Sequence, residues 1–261
     1  MTSDLGQRLA LPRFPRSAAY DPRWLIDNWM GPNALWLMEW LCSALDLPAG
    51  ARVLDLGCGK ALTSIFLARE YAVRVVAADL WIPPHENWGR VREADCADGV
   101  MPVHAEAHDL KFAYGYFDAI VSVDAYQYFG TDELYLAYLS RFLAPGGRIG
   151  IVVPGLVAEF TDNRVPEHLR PYWQPDCWTF HSPGWWHELW SRSGVVEVDR
   201  ADLLDDGWRD WALWCEVVAE TSTDDFVLGI VPGEGEMVRA DAGRNLGFTR
   251  VVGTVGSGQS S

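Results

Sequence analysis

An acidic residue two positions ahead of a glycine pair, at Asp55-Leu56-Gly57-Cys58-Gly59, and another carboxylate at Asp79 are the residues whose types and spacing point to chemistry. Val53, Leu54 and Leu56 around Asp55 read as a buried parallel strand, and the Gly-x-Gly turn swings the backbone away from the sheet into a helix. Such a turn is a cofactor platform. A dinucleotide fingerprint would carry a third glycine at the sixth position, where this chain has Leu62, so a pyrophosphate is disfavoured. A carboxylate close to the turn suits a cationic amino group better. Val73 to Ala78 is a second apolar run ending in Asp79, where a carboxylate can accept hydrogen bonds from both ribose hydroxyls of a nucleoside.

A second group of candidates follows the fourth apolar run, Ile120 to Val123. Asp124, Tyr126 and Tyr128 lie where ligands bind in a parallel sheet, at the carboxyl ends of the strands, and suit positioning of an amine or hydroxyl and acceptance of its proton. His181 can project toward the same cleft. Fourteen tryptophans are the most unusual feature of the composition. The spacings at 36 and 40, 186 and 190, and 208, 211 and 214 suit helix faces turned to a core. Trp24, Trp29, Trp173 and Trp178 fall in segments that can roof a cleft, where an aromatic cage would attract a cationic amine or a flat substrate.

The elements that must hold these residues form an α/β pattern. Two helical pieces from Asp21 to Leu47 break at Gly31-Pro32, with Pro32 in a first helical turn, and residues 1–19 read as a loose arm or partial cover. Strand 52–56, a helix from Ala61 to Tyr71, strand 73–79, a short helix from Glu86 to Cys96, and strand 101–105 come next. After the fourth strand, Thr131 caps a helix to Leu143, and Ala144-Pro145-Gly146-Gly147 turns into strand 148–153. Residues 154–181 are a proline-interrupted insertion read as a lid. Ser182 caps a helix from Pro183 to Ser193, strand 195–201 follows, then helices 206–219 and 234–244. Gly247 to Val255 is a seventh strand, antiparallel to the sixth, and 256–261 a disordered tail.

At 261 residues and 49% hydrophobic, the chain suits one large domain. A net charge of −15 without a basic stripe argues against nucleic acid, and no basic amphipathic helix favours a membrane surface. Five scattered cysteines with no Cys-x-x-Cys argue against a disulfide framework and a metal site. Without a secretory leader or an apolar run of about 18 residues, a reducing, cytoplasmic compartment is expected.

The residues Val53 to Gly59 resemble the first motif, apolar-Asp/Glu-apolar-Gly-x-Gly, of the class I S-adenosylmethionine-dependent methyltransferases. The stretch 105–112 running into Phe117-Asp118-Ala119-Ile120, and Leu143-Ala144-Pro145-Gly146-Gly147-Arg148, resemble later motifs of that family in family order, with Ala105 and Lys111 departing from its glycine and proline. The resemblance implies a doubly wound, seven-stranded, mostly parallel sheet with an antiparallel last strand, an N-terminal helical cap (1–50) and a domain (51–255) with a lid insertion. It implies S-adenosylmethionine held by Asp55, Gly57 and Gly59 at its methionine end, by Asp79 and Leu80 at the ribose, by Glu106 and Ala107 at the adenine, and by Asp124 beyond strand four. Methyl transfer to nitrogen, oxygen or carbon of a small molecule follows, leaning to an amine. Phosphoethanolamine and quinone methyltransferases carry a His a few residues beyond strand four, where this chain has Gln127 and Tyr128. A non-catalytic S-adenosylmethionine sensor and a nucleotide-dependent oxidoreductase are the rival readings.

Overall fold

The computed structural model describes residues 2–256. Seven strands, β1 (Arg52–Leu56), β2 (Arg74–Asp79), β3 (Val100–His104), β4 (Phe117–Val123), β5 (Leu143–Leu156), β6 (Val196–Leu203) and β7 (Leu246–Val255), form one sheet in the order 3-2-1-4-5-7-6. The first five run parallel; β7 enters antiparallel between β5 and β6, so it pairs with both. The chain steps outward from β1 to β3, then returns to place β4 on the other side of β1. That reversal opens a crevice between the carboxyl ends of β1 and β4, where open α/β sheets take ligands.

Helices cover both faces: α1 (Thr2–Leu9), α2 (Pro22–Asp27), α3 (Ala34–Cys42), α4 (Leu62–Tyr71), α5 (Pro84–Glu93), α6 (Tyr135–Leu139), α7 (Pro183–Ser193), α8 (Gly207–Thr221) and α9 (Asp225–Asp241). The buried residues divide between the two faces. Val53, Val75, Ala77 and Val121 pack on one side with α3, α4, α8 and α9, while Leu54, Leu56, Ile120 and Ile151 pack on the other with α6 and α7. This is the period-2 alternation of a sheet buried on both faces.

Several expected boundaries move for local reasons. Asp132 Oδ1 accepts the Leu134 N–H at 2.7 Å, which forms a turn and delays α6 to Tyr135, so Thr131 caps nothing. The last helix begins at Asp225 because Asp224 caps the N–H groups of Phe226 and Val227; it carries Pro232 on its exposed side while Val227, Val231 and Val238 face inward. Strand β5 extends through 143–147 and on to Leu156. Asn33, rather than Pro32, starts α3, its Oδ1 accepting from Leu35 and Trp36 N–H. The N-terminal arm is docked: Phe14 stacks on Trp36, Arg13 pairs with Asp210, and Glu39 accepts from the Ser17 hydroxyl.

Residues 157–181 bury Leu169 and Cys177 in the core, and His168 bonds Asp241 at 2.9 Å. The tail from residue 257 on lies outside the described residues. Among the described residues no helix is long and apolar enough to cross a membrane, and all five cysteines are buried and unpaired.

Candidate active site

A cavity of about 320 Å³ occupies the crevice. Its walls come from the ends of three strands and the loops beyond them: Leu56 to Lys60 after β1, Ala78 to Trp81 at the end of β2, Val123 to Ala125 with Tyr128 and Phe129 after β4. Ala105 to His108 after β3 close one end, and Asn28, Met30, Pro32 and Ala34, between α2 and α3, form the roof. None of residues 157–181 lines it, so the segment read as a lid takes no part in this wall.

The loop 57–59 is held by the strand beside it. Gly57 and Cys58 N–H both donate to Ala78 O, at 2.8 and 3.1 Å, and Gly59 N–H donates to Asp79 Oδ2 at 2.8 Å. Asp79 Oδ1 accepts from Trp81 and Ile82 N–H, so this one carboxylate shapes two loops while remaining on the cavity wall. Gly57 has φ +74°, and a Cβ there would lie 2.4 Å from the Ala125 side chain; only glycine lets the two loops meet.

Asp55 sits below this loop and is not on the cavity wall, against the expectation for it. Its Oδ2 accepts the hydroxyls of Thr63 and Ser64, each at 2.6 Å, tying β1 to the first turn of α4. Its Oδ1 is buried with no partner, and burial pushes the carboxyl up to about 6 despite the Ser64 and Thr63 hydrogen bonds.

At the far end, Glu106 accepts from His108 N–H and contacts its ring nitrogen at 2.9 Å; the His108 side-chain contact holds this carboxyl below its ordinary range. Tyr135 donates to Ala107 O and Tyr138 accepts the Leu110 N–H, which fastens the 106–110 loop to α6. Leu80, half exposed, lies on the wall beside Asp79.

Of the four residues expected to handle an acceptor, Asp124 and Tyr128 reach the cavity and Tyr126 and His181 do not. Tyr126 is fully buried among Phe129, Tyr135, Trp186 and Trp190, and its hydroxyl makes no hydrogen bond. It is a packing residue, set over Gly130, where a Cβ would lie 1.9 Å from its ring. His181 stacks on Trp185 at 3.6 Å and bonds Glu159, outside the cavity, and burial lowers its affinity for a proton. The tryptophan cage is likewise displaced: Trp24, Trp29, Trp173 and Trp178 pack elsewhere, and the ring at the cavity mouth is Trp81, 72% exposed and 6.5 Å from Tyr128.

Asp124 takes the left-handed conformation, φ +53°, immediately after β4 and presents its carboxyl to the cavity. Its Oδ1 accepts from Gln127 Nε2 at 3.1 Å. Burial, reinforced by Glu234, raises this carboxyl well above the usual carboxylate range. Above it lies Gly31, φ +141°, where a Cβ would come within 2.2 Å of Asp124 Oδ2.

Sequence reasoning expected a cap from residues 1–50, within which the roof lies, but missed what holds it. Asn87 donates to Gly59 O at 2.8 Å, Arg90 donates to Asn87 Oδ1 and to Asn28 Oδ1, and Trp214 Nε1 donates to Gly31 O. The only local signal was the Gly31-Pro32 break; the partners come from α5 and α8, far along the chain.

Residues 53–147 match the family described as methyltransferase domain. The chain is 32% identical to the methyltransferase GfsG of Streptomyces halstedii over 116 residues, 44% of this chain and 42% of that protein. It is 35% identical to the demethylmenaquinone methyltransferase of Clavibacter sepedonicus over 156 residues, 60% of this chain and 59% of that protein. The chain thus spans less than two thirds of the length of these curated relatives. Its fold is that of Haemonchus contortus phosphoethanolamine N-methyltransferase 2, solved with S-adenosyl-L-methionine, at a TM-score of 0.72 and 18% identity, over 97% of this chain and 60% of that one.

Proposed function

We propose that this chain is a class I S-adenosylmethionine-dependent methyltransferase, with S-adenosylmethionine as its cofactor, that methylates a small-molecule acceptor at nitrogen, oxygen or carbon, an amine being favoured. The observation that carries this reading is the pairing of loop 57–59 with Asp79 on one wall of a cavity at the β1/β4 reversal, with Glu106 and Ala107 closing its end. When bound, the cofactor supplies an electrophilic methyl group on a sulfonium.

The chain fits that group on its own geometry. Gly57 and Gly59 bring backbone onto the cavity wall, Asp79 keeps a carboxylate there with lone pairs to spare for ribose hydroxyls, and Leu80 and Ala107 offer apolar surface for an adenine. Glu106 stands by as acceptor for an exocyclic amino group. Asp124 and Tyr128 face the opposite end, where the acceptor enters, and the Met30 and Pro32 roof restricts water. Asp55 supports the loop from below instead of touching the ligand. Five reduced, buried thiols suit a cytoplasmic setting.

Calorimetric titration with S-adenosylmethionine, S-adenosylhomocysteine and NAD tests the reading. The first two should bind and NAD should not, and Asp79→Ala should weaken both by at least about tenfold, since three backbone N–H groups lose their acceptor. Binding of NAD alone would return the site to the dinucleotide class. Consumption of S-adenosylmethionine with amine, phenol or carbon acceptors then separates an enzyme from a sensor.

A further inference from the structure

Three hydrogen-bond acceptors gather on and behind the β4 wall of the cavity with no donor to serve them. Asp124 Oδ1 is used by Gln127, but Oδ2 has no partner among the described residues. Gln127, fully buried, spends its amide N–H on Asp124, and its Oε1 is left without a hydrogen bond. Glu234, projecting inward from α9, accepts from Trp211 Nε1 at 2.5 Å through Oε1 alone. One turn of α8 brackets the group, Trp211 holding Glu234 while Trp214, three residues on, holds Gly31 down over Asp124.

We infer that Asp124 and the unserved Gln127 oxygen beside it, with Glu234 adding negative charge from α9, make this wall a seat for an ammonium group, so that the acceptor is a small primary or secondary amine. The inference rests on the methyltransferase reading of the cavity and names the substrate class it leaves open. A carboxylate held by one amide, with that amide's own oxygen buried and unserved, is costly unless a cation with N–H donors arrives. No Lys or Arg bears on either carboxyl among the described residues. The groups that do face the pair are Tyr128 after β4, Cys177 from the 175–179 turn, and Cys215 and Trp211 on α8, none of them a cation. Burial pushes Glu234 up to about 7, opposed by the Trp211 N–H.

With an ammonium seated, Asp124 is ionised and positioned to take one N–H proton. The N–H bond breaks, an O–H bond forms on the carboxylate, and the bonding pair stays on nitrogen as the lone pair that methylation needs. Glu234 does not line the cavity and touches no ligand; it is a positioning residue.

The test titrates the S-adenosylhomocysteine-loaded protein with benzylammonium and with its neutral counterpart benzyl alcohol, and repeats both with methylammonium and methanol. Benzylammonium should bind at least about tenfold more tightly than the alcohol, Glu234→Gln should cut that ratio by about tenfold, and Asp124→Asn should abolish it. The affinity for S-adenosylhomocysteine should stay within about twofold in Glu234→Gln, and Glu236→Gln, exposed on the same helix, should change neither value. Glutamine keeps an oxygen for Trp211, and Glu234→Asp, which keeps the charge, should retain most of the preference if the glutamine variant melts early. Equal binding of amine and alcohol, binding of neither, or a Glu234→Gln loss confined to S-adenosylhomocysteine would each overturn the inference. Failure of wild type to bind S-adenosylhomocysteine at all would instead remove the reading beneath it.

Discussion

The two ends of the cavity hold carboxyl groups away from water in opposite ways. At the β2 end, Asp79 is answered by three backbone N–H groups, and its charge goes into fixing the 57–59 and 80–82 loops. At the β4 end, Asp124 has one side-chain amide, that amide's own oxygen is unserved, and Glu234 behind it has one indole N–H. A satisfied carboxylate builds a wall; an unsatisfied pair selects what lies against it. The contrast divides the cavity into a preformed cofactor end and an acceptor end tuned for charge.

The largest effect should come from breaking the preformed end. Gly57→Val places a side chain where Ala125 already stands, 2.4 Å away, at a φ of +74° that a branched residue resists. Affinity for S-adenosylhomocysteine measured by calorimetry should fall by more than about a hundredfold, as a strain of roughly 1–3 kcal/mol adds to the steric block. A variant that bound normally would show that the loop is not the cofactor platform.

This end was also the part legible in the sequence. Gly57, Gly59 and Asp79 act through neighbours on adjacent parallel strands, so their spacing along the chain carries their geometry. Ser182 was readable as a cap for the same reason: its partner, Trp185 N–H, is three residues on. The acceptor end was legible only in Asp124 and Tyr128. Gly31 meets Asp124, Trp214 meets Gly31, and Trp211 holds Glu234, all through contacts that no local pattern encodes. Tyr126 misled because an aromatic after β4 looks the same whether it turns to the cavity or to α7; here Trp186 and Trp190 claim it. Pro232 hid the first half of α9, since a proline on a helix's exposed side reads as a break.

Asp55 sharpens the comparison from within the preformed end, because it is only half satisfied. Its folded-state value of about 6 lies above the unfolded carboxylate value, so the native state holds this proton longer than the unfolded chain does. The stability it contributes is complete below about pH 4 and is lost as pH rises to about 6, an upper bound of about 3 kcal/mol. Asp55→Asn never ionises and keeps an oxygen for Thr63 and Ser64. Relative to wild type, the variant should gain stability between pH 4 and pH 7 in urea unfolding. A difference that stays flat across that range would mean Asp55 is ionised without cost and that the uncompensated oxygen is served in solution.

At the acceptor end, Gly31→Ala should act in the reverse sense to Gly57→Val. Its Cβ would meet Asp124 Oδ2 at 2.2 Å, so the roof must lift or the carboxyl must turn. Benzylammonium should bind about tenfold more weakly while S-adenosylhomocysteine binding shifts by less than about threefold. Equal losses for both would mean that the roof serves the whole cavity and that the two ends are not separable.

The smallest effect belongs to Trp81, which stands at the mouth where the two ends meet. The ring is 72% exposed and opposite Tyr128, so it contributes little to folding and its removal leaves the wall intact. Trp81 and Tyr128 line the same cavity as Asp124, and an exposed cation–π contact is worth roughly 0.5–1 kcal/mol. Trp81→Ala should therefore weaken benzylammonium by about two- to fivefold and spare benzyl alcohol, because the alcohol gains only the apolar part of the contact. If instead S-adenosylhomocysteine affinity fell and the amine-to-alcohol ratio held, Trp81 would belong to the adenine wall with Leu80, and the boundary between the two ends would move past it toward Tyr128.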